Sequence, residues 1–156
     1  MSYDVYFVRR EAGQSWDQAV EGEEDEERPW PAIEREELAS KIRQHCPHIE
    51  EWRGRGSIEL TDLDTGMQVF LYGSSAGMCI AYSHDGPDTE RVMRTAFEVA
   101  RIIEESSGLS AYDPQAGRGL FEGEQPEREA AAEMGQTSRA LTEVDSKRWW
   151  QFWRRG

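Results

Sequence analysis

The sequence predicts an α+β domain: a mostly antiparallel sheet in the order β-α-β-β-β-α-β, two helices on one face, and a C-terminal tail. Three observations predict it. Between residues 57 and 83, short β-branched and aromatic runs follow one another across glycine-containing turns. From 88 to 107 a broad apolar stripe recurs at helical period. Between 31 and 46 a weaker stripe of the same period separates the first strand from the others.

The first strand is Tyr3 to Val8, Y-D-V-Y-F-V, bounded by Arg9 and Arg10. Residues 11–28 then lose periodicity. Glu21, Glu23, Glu24, Asp25, Glu26 and Glu27 place six acids in seven positions. A block of like charge repels itself and stays solvated, so a loop or an acidic insertion is expected there. Pro29 and Pro31 end it, and Pro31 suits a first helical turn. Ile33, Leu38 and Ile42 mark the following helix, with Glu34, Glu36 and Glu37 where the helix dipole favours acids. Pro47 closes it.

A three-strand meander follows: Ser57 to Leu63, Met67 to Tyr72 and Met78 to Ser83, joined by Asp64-Thr65-Gly66 and Gly73-Ser74-Ser75-Ala76-Gly77. The clearest helix runs from Asp88 or Thr89 to Ser107, capped by Asp88 and stopped by Gly108. Leu109 to Tyr112 is a last short strand. These elements make one domain over 1–115. Residues 116–146 are rich in Gly, Glu, Gln, Ala and Ser and read as a polar tether or a weak helix, interrupted by Gly135. Residues 147–156 form an aromatic and basic tail, K-R-W-W-Q-F-W-R-R-G, with four aromatics, four cations and no acid.

Composition narrows the function classes. The 156 residues carry 18 Lys+Arg against 31 Asp+Glu, a formal net charge of −13. Phosphate would be repelled over most of such a surface, so no nucleic-acid partner is expected. No apolar run approaches the roughly 18 residues of a membrane span, and the N-terminus has no signal-peptide pattern. A cytoplasmic location follows. The two cysteines, Cys46 and Cys79, then read as reduced thiols, Cys79 as a small buried apolar side chain.

Four motifs bear on chemistry. Gly73-Ser74-Ser75-Ala76-Gly77 matches G-x-S-x-G, and Ser75 with His84 and Asp85 could compose a hydrolase. That motif needs a strand-to-helix turn, whereas the following segment reads as strand, so a hairpin turn is favoured. Asp64-Thr65-Gly66 matches the aspartic-protease triplet, but such enzymes need two carboxylates sharing a proton and the chain has one copy. The start of a calcium loop is also echoed there, but Gly73 stands where a glutamate is required. His45, Cys46 and His48 crowd three potential metal ligands into four residues, without a second ligand pair of the usual kind. No phosphate-binding glycine loop occurs. The expectation is therefore no enzyme, no catalytic residue, no cofactor and no metal.

Two segments suggest partners. Glu23, Glu24, Asp25, Glu26 and Glu27 would speed encounter with a basic protein. Trp149, Trp150, Phe152, Trp153 and Arg154 carry apolar area that is costly to leave in water, at about 25 cal/mol per Å². They suit the tail's own domain, a partner groove in which Trp and Arg are favoured anchors, or an anionic membrane surface. Ten residues hold a bilayer weakly, which ranks the partner groove above the membrane.

The opening Met1-Ser2-Tyr3-Asp4-Val5-Tyr6-Phe7 and the segment Gly108-Leu109 to Tyr112-Asp113-Pro114-Gln115 resemble a loose set of small uncharacterised bacterial proteins with an M-S-Y-D first strand and a G-L-x-x-Y-D-P-Q segment. The resemblance covers about residues 1–9 and 88–115. Some members look like toxin-immunity proteins, which implies a non-enzymatic protein-binding module. A serine hydrolase using Ser75 and His84, and a membrane-associated protein anchored by its tail, are the alternatives.

Overall fold

Apolar residues at every second position along five successive strands set one face of a sheet inward. In the computed structural model, which describes residues 2–25, 30, 32–73, 75–82 and 86–137, the strands are β1 (Ser2–Val8), β2 (Ile49–Arg53), β3 (Ile58–Asp62), β4 (Gln68–Leu71), β5 (Ala76–Ala81), β6 (Ser110–Asp113) and β7 (Arg118–Gly119). They form a seven-stranded sheet in the order β2-β3-β4-β5-β1-β6-β7. Every neighbouring pair is antiparallel. The α+β class is as the sequence predicts, and so is the β3-β4-β5 meander.

Register carries the inward residues across the sheet in rows: Ile58 opposite Leu71, Leu71 opposite Ala76, Ala76 opposite Phe7, and Phe7 opposite Ala111. A second row joins Leu60, Val69, Met78 and Val5. All of these are buried. Over them lie α2 (Ala32–His45), with Leu38, Ala39 and Ile42, and α3 (Gly86–Ser107), with Val92, Met93, Ala96, Val99, Ala100 and Ile103.

Four expectations change. Residues 11–28 are not all loop: α1 spans Trp16–Asp25. Its acids are tolerated because, among its described side chains, only Ala19 is fully buried, while Asp17 and Glu21 stay in solvent. α1 lies on the opposite face from α2 and α3, the two helices that share one face as the sequence predicts. Second, an edge strand, β2, precedes the meander. Its charged sequence, I-E-E-W-R, suits a sheet edge whose residues are almost all exposed. Third, the domain does not end at 115. β7 and a fourth helix, α4 (126–137), follow, and Leu120, Ala130, Ala131 and Met134 join the core. Small alanines let α4 approach closely, so a weak apolar stripe suffices. Fourth, Cys79 is only partly buried and Cys46 is the buried thiol. Met78 and Ile80 point inward, which turns Cys79 to the other face. Burial pushes the Cys46 thiol up to about 11, with smaller contributions from the acids Asp62, Glu98 and Asp64.

Candidate docking groove on the outer face of the sheet

The outward residues form a row of their own. Trp52 on β2 stands opposite Glu59 on β3, Glu59 opposite Phe70 on β4, and Phe70 opposite Gly77 on β5. Gly77 is paired with Tyr6 on β1, and Tyr6 with Tyr112 on β6. One line across six strands thus carries four aromatic rings, one acid and, in its middle, a residue without a side chain. Tyr72 adds a further ring, stacked on Phe70 with centroids 6.1 Å apart.

α1 covers only one end of this line. Trp16 stacks on Tyr112 at 5.4 Å, its indole N–H donates to Glu122 at 3.2 Å, and the Arg10 guanidinium sits 4.1 Å over its ring. Ala19 seals the contact and Val20 ends it. Among the described residues, the sheet beyond Val20 is open. A groove of about 350 Å³ remains there, lined by Tyr6, Val20, Phe70, Tyr72, Ser75 and Cys79 among others. Tyr6 is 46% and Tyr72 45% exposed, a large amount of aromatic area for one patch of a sheet face. Gly77 leaves the hollow between Phe70 and Tyr6. A methyl group added there would meet, apart from its chain neighbours, only the Val5 carbonyl oxygen at 3.8 Å.

One acid lines the groove and others share its face or the exposed side of α1. Asp4 is the lining acid, Glu59 stands in the aromatic row, and Glu50 lies on the same face, opposite Thr61. Asp17 and Glu21 are exposed on α1. The Cys79 thiol is raised above its ordinary range, by burial first and by the Asp4 charge second. It therefore stays protonated near neutrality and reacts as a thiolate more readily as pH rises.

The anchoring of α1 is testable. Trp16→Ala removes the ring stack and the indole hydrogen bond, an aromatic pair worth about 0.5–1.5 kcal/mol. Amide exchange should accelerate across 16–25 while β1 and β5 keep their protection. Unchanged exchange in α1 would mean that Trp16 does not hold it.

The other sequence-predicted residues fall elsewhere. Glu23, Glu24 and Asp25 belong to the last turn of α1. Glu26 and Glu27, like Trp149, Trp150, Phe152, Trp153 and Arg154, lie outside the described residues, as does His84. Ser75 sits between β4 and β5 at the rim of the groove, and strand rather than helix follows it. Asp64-Thr65-Gly66 is the β3–β4 turn: Thr65 donates to buried Asp62 at 2.5 Å, and Gly66 has a φ of 71°. His45 Nε2 meets Glu98 at 2.9 Å, His48 Nδ1 meets Asp64 at 2.9 Å, and Cys46 points into the core. The three potential ligands thus point to different neighbours. Among the described residues, no group of three or more His, Cys, Asp and Glu side chains is placed to hold a metal. No helix among them is long and apolar enough to cross a membrane.

A larger hollow, about 870 Å³, lies on the helical side beside α3 and the start of α4. Several of its charged groups are engaged with one another or with a ring: Arg94 with Glu127 at 3.6 Å, His45 with Glu98, and Arg101 over Phe121 at 4.5 Å. Arg128 donates to the Gln125 side chain, and Glu105 completes the charged lining.

Sequence reasoning missed the groove because its lining residues are spread from 4 to 79 and come from four separate elements. The outward positions of each strand were visible as the alternate members of the apolar pattern, but the row exists only once six strands are in register.

No protein-family model, curated protein or solved structure matches the chain.

Proposed function

We propose that this protein is a non-enzymatic protein-binding module, of the kind to which toxin-immunity proteins belong, and that it captures a basic partner on the outer face of its sheet. The observation that carries this reading is the Trp52–Glu59–Phe70–Gly77–Tyr6–Tyr112 row. Binding hot spots favour aromatic anchors in desolvated pockets ringed by polar groups. Here aromatic walls stand on either side of a glycine floor, with Asp4 in the lining and Glu59 paired beside Phe70. A partner that presents an aromatic side chain between arginines or lysines matches both features. The net charge of −13 would steer such a partner inward and make association fall with salt.

A defined probe tests it. An alternating arginine–tryptophan hexapeptide titrated into the full chain should bind in the micromolar range, while its glutamate–tryptophan counterpart should not. Gly77→Leu puts a bulky side chain into the groove at a position where an added Cβ meets nothing closer than the Val5 carbonyl oxygen at 3.8 Å, and should abolish binding while the chain still unfolds cooperatively. Equal binding of both peptides, or full binding by Gly77→Leu, would remove the groove from the interaction.

A further inference from the structure

We infer that the groove on the outer face is a docking site for the chain's own C-terminal segment, 147–156, so that this segment competes with any external partner. The inference rests on the reading of the groove as a docking surface and names its resident occupant.

Three observations support it. The first is chemical match. The groove presents Tyr6, Phe70 and Tyr72 around the bare Gly77 position, with Asp4 and Glu59 beside them. The segment Lys147-Arg148-Trp149-Trp150-Gln151-Phe152-Trp153-Arg154-Arg155 carries four rings flanked by two cations on each side and no acid. Rings stack offset or edge-on against the groove walls, and the flanking arginines meet the surrounding carboxylates.

The second is reach. α4 is described to residue 137, and its Met134 is buried in the core beneath the sheet. Residues 138–146 can extend about 30 Å at 3.3 Å each. The helical layer and the sheet are separated by about 10 Å, a layer spacing, so the segment can pass round a sheet edge or end and arrive on the outer face.

The third is cost. Tyr6 and Tyr72 in the groove expose apolar area, the rings of the segment carry apolar area that is costly to leave in water, and one contact would cover both. A tether of this length supplies an effective concentration in the millimolar range. A segment of quite modest intrinsic affinity would therefore occupy the groove most of the time.

The two cysteines provide a readout. Cys46 is buried, whereas Cys79 lines the groove and is partly exposed. The experiment follows the rate at which a disulfide reagent modifies Cys79 in the full chain at pH 8. In the variant Trp149→Ser/Trp150→Ser/Phe152→Ser/Trp153→Ser the rate should rise about tenfold, as expected when a millimolar effective concentration acts on a Kd of about 0.1 mM. The same variant should bind the arginine–tryptophan probe about tenfold more tightly, since the competitor is gone. A synthetic peptide of residues 147–156 should restore protection of Cys79 in the variant, and Gly77→Leu should prevent that restoration. In the unmodified chain the protection should not depend on protein concentration. Protection that grows with concentration, accompanied by dimers in sedimentation, would overturn docking in the same chain in favour of a second copy. If the peptide protects Cys79 but the four substitutions leave its rate unchanged, the resident-segment inference fails while the docking reading stands. If neither the peptide nor the arginine–tryptophan probe protects Cys79, both fail.

Discussion

Met134→Ala is expected to lower stability by about 2–5 kcal/mol, the cost of deleting a fully buried Met side chain and leaving a cavity. Met134 has no exposure at all and packs into the core from α4. The loss should appear as a lower urea midpoint with an unchanged slope. A neighbour provides the opposite sign. Gly135 lies one residue on, inside the same helix, without a positive φ and with open space around the position of a Cβ. Gly135→Ala should therefore raise stability by about 0.5–1 kcal/mol, through helix propensity and a less flexible unfolded chain. A loss below about 0.5 kcal/mol for Met134→Ala, within the range of ordinary surface changes, would mean that α4 is an appendage rather than part of the domain.

Asp113→Ala should cost about 1–3 kcal/mol, because the buried Tyr3 hydroxyl loses its partner. One oxygen accepts the Tyr3 hydroxyl at 2.5 Å; the other accepts the amides of Gln115 at 2.9 Å and Ala116 at 3.0 Å. Tyr3 is 0% exposed, so water cannot reach its hydroxyl, whereas Gln115 is half-buried and Ala116 exposed, so water can take over at their amides. This contact ties the first strand to the turn that leads into β7, across 110 residues of sequence. Asp113→Asn should recover part of the loss by keeping the acceptor oxygen.

The same pair fixes an alkaline limit. Burial first, then the hydrogen bond and charge of Asp113, raise the Tyr3 hydroxyl well above its ordinary value near 10. Above about pH 10 the unfolded chain has lost this proton while the folded chain keeps it, so stability is whole below that pH and falls as pH rises further. The slope from this one group is about 1.4 kcal/mol per pH unit. Cys46, raised to about 11, adds its own loss from a lower starting pH, since an ordinary thiol titrates near 8.5. Tyr3→Phe separates the two contributions: its stability should decline less steeply above pH 10 by one proton. An identical slope in both chains would deny the hydroxyl its buried, protonated state.

Local pattern in the sequence was enough for the inner half of the fold. Tyr3, Val5 and Phe7 alternate with polar or exposed residues, and Val92, Ala96, Val99 and Ile103 recur at helical period. Burial of one face imposes those periods directly, so each element could be read from its own window. Elements whose burial is slight left no such trace. α1 buries Ala19 almost alone, α4 buries two alanines and a methionine, and β2 at the sheet edge buries almost nothing. Each is held by something distant: Trp16 by Tyr112, Met134 by the common core, Ile49 to Arg53 by pairing with β3. Charge was misleading at 21–27, since a solvated acidic face suits a helix as well as a loop.

By itself the sequence determined the α+β class, the meander, the two principal helices and the strongly acidic surface, because each of these is a repeat or a sum over neighbouring residues. Only the tertiary structure decided that α1 lies on the opposite face, that the domain continues through α4, and that Cys79 points outward while Cys46 is buried. It alone also assembled the groove. Phe70, Gly77 and Tyr6 are adjacent because antiparallel register brings three strands side by side, and register is a long-range property set by which faces are buried together.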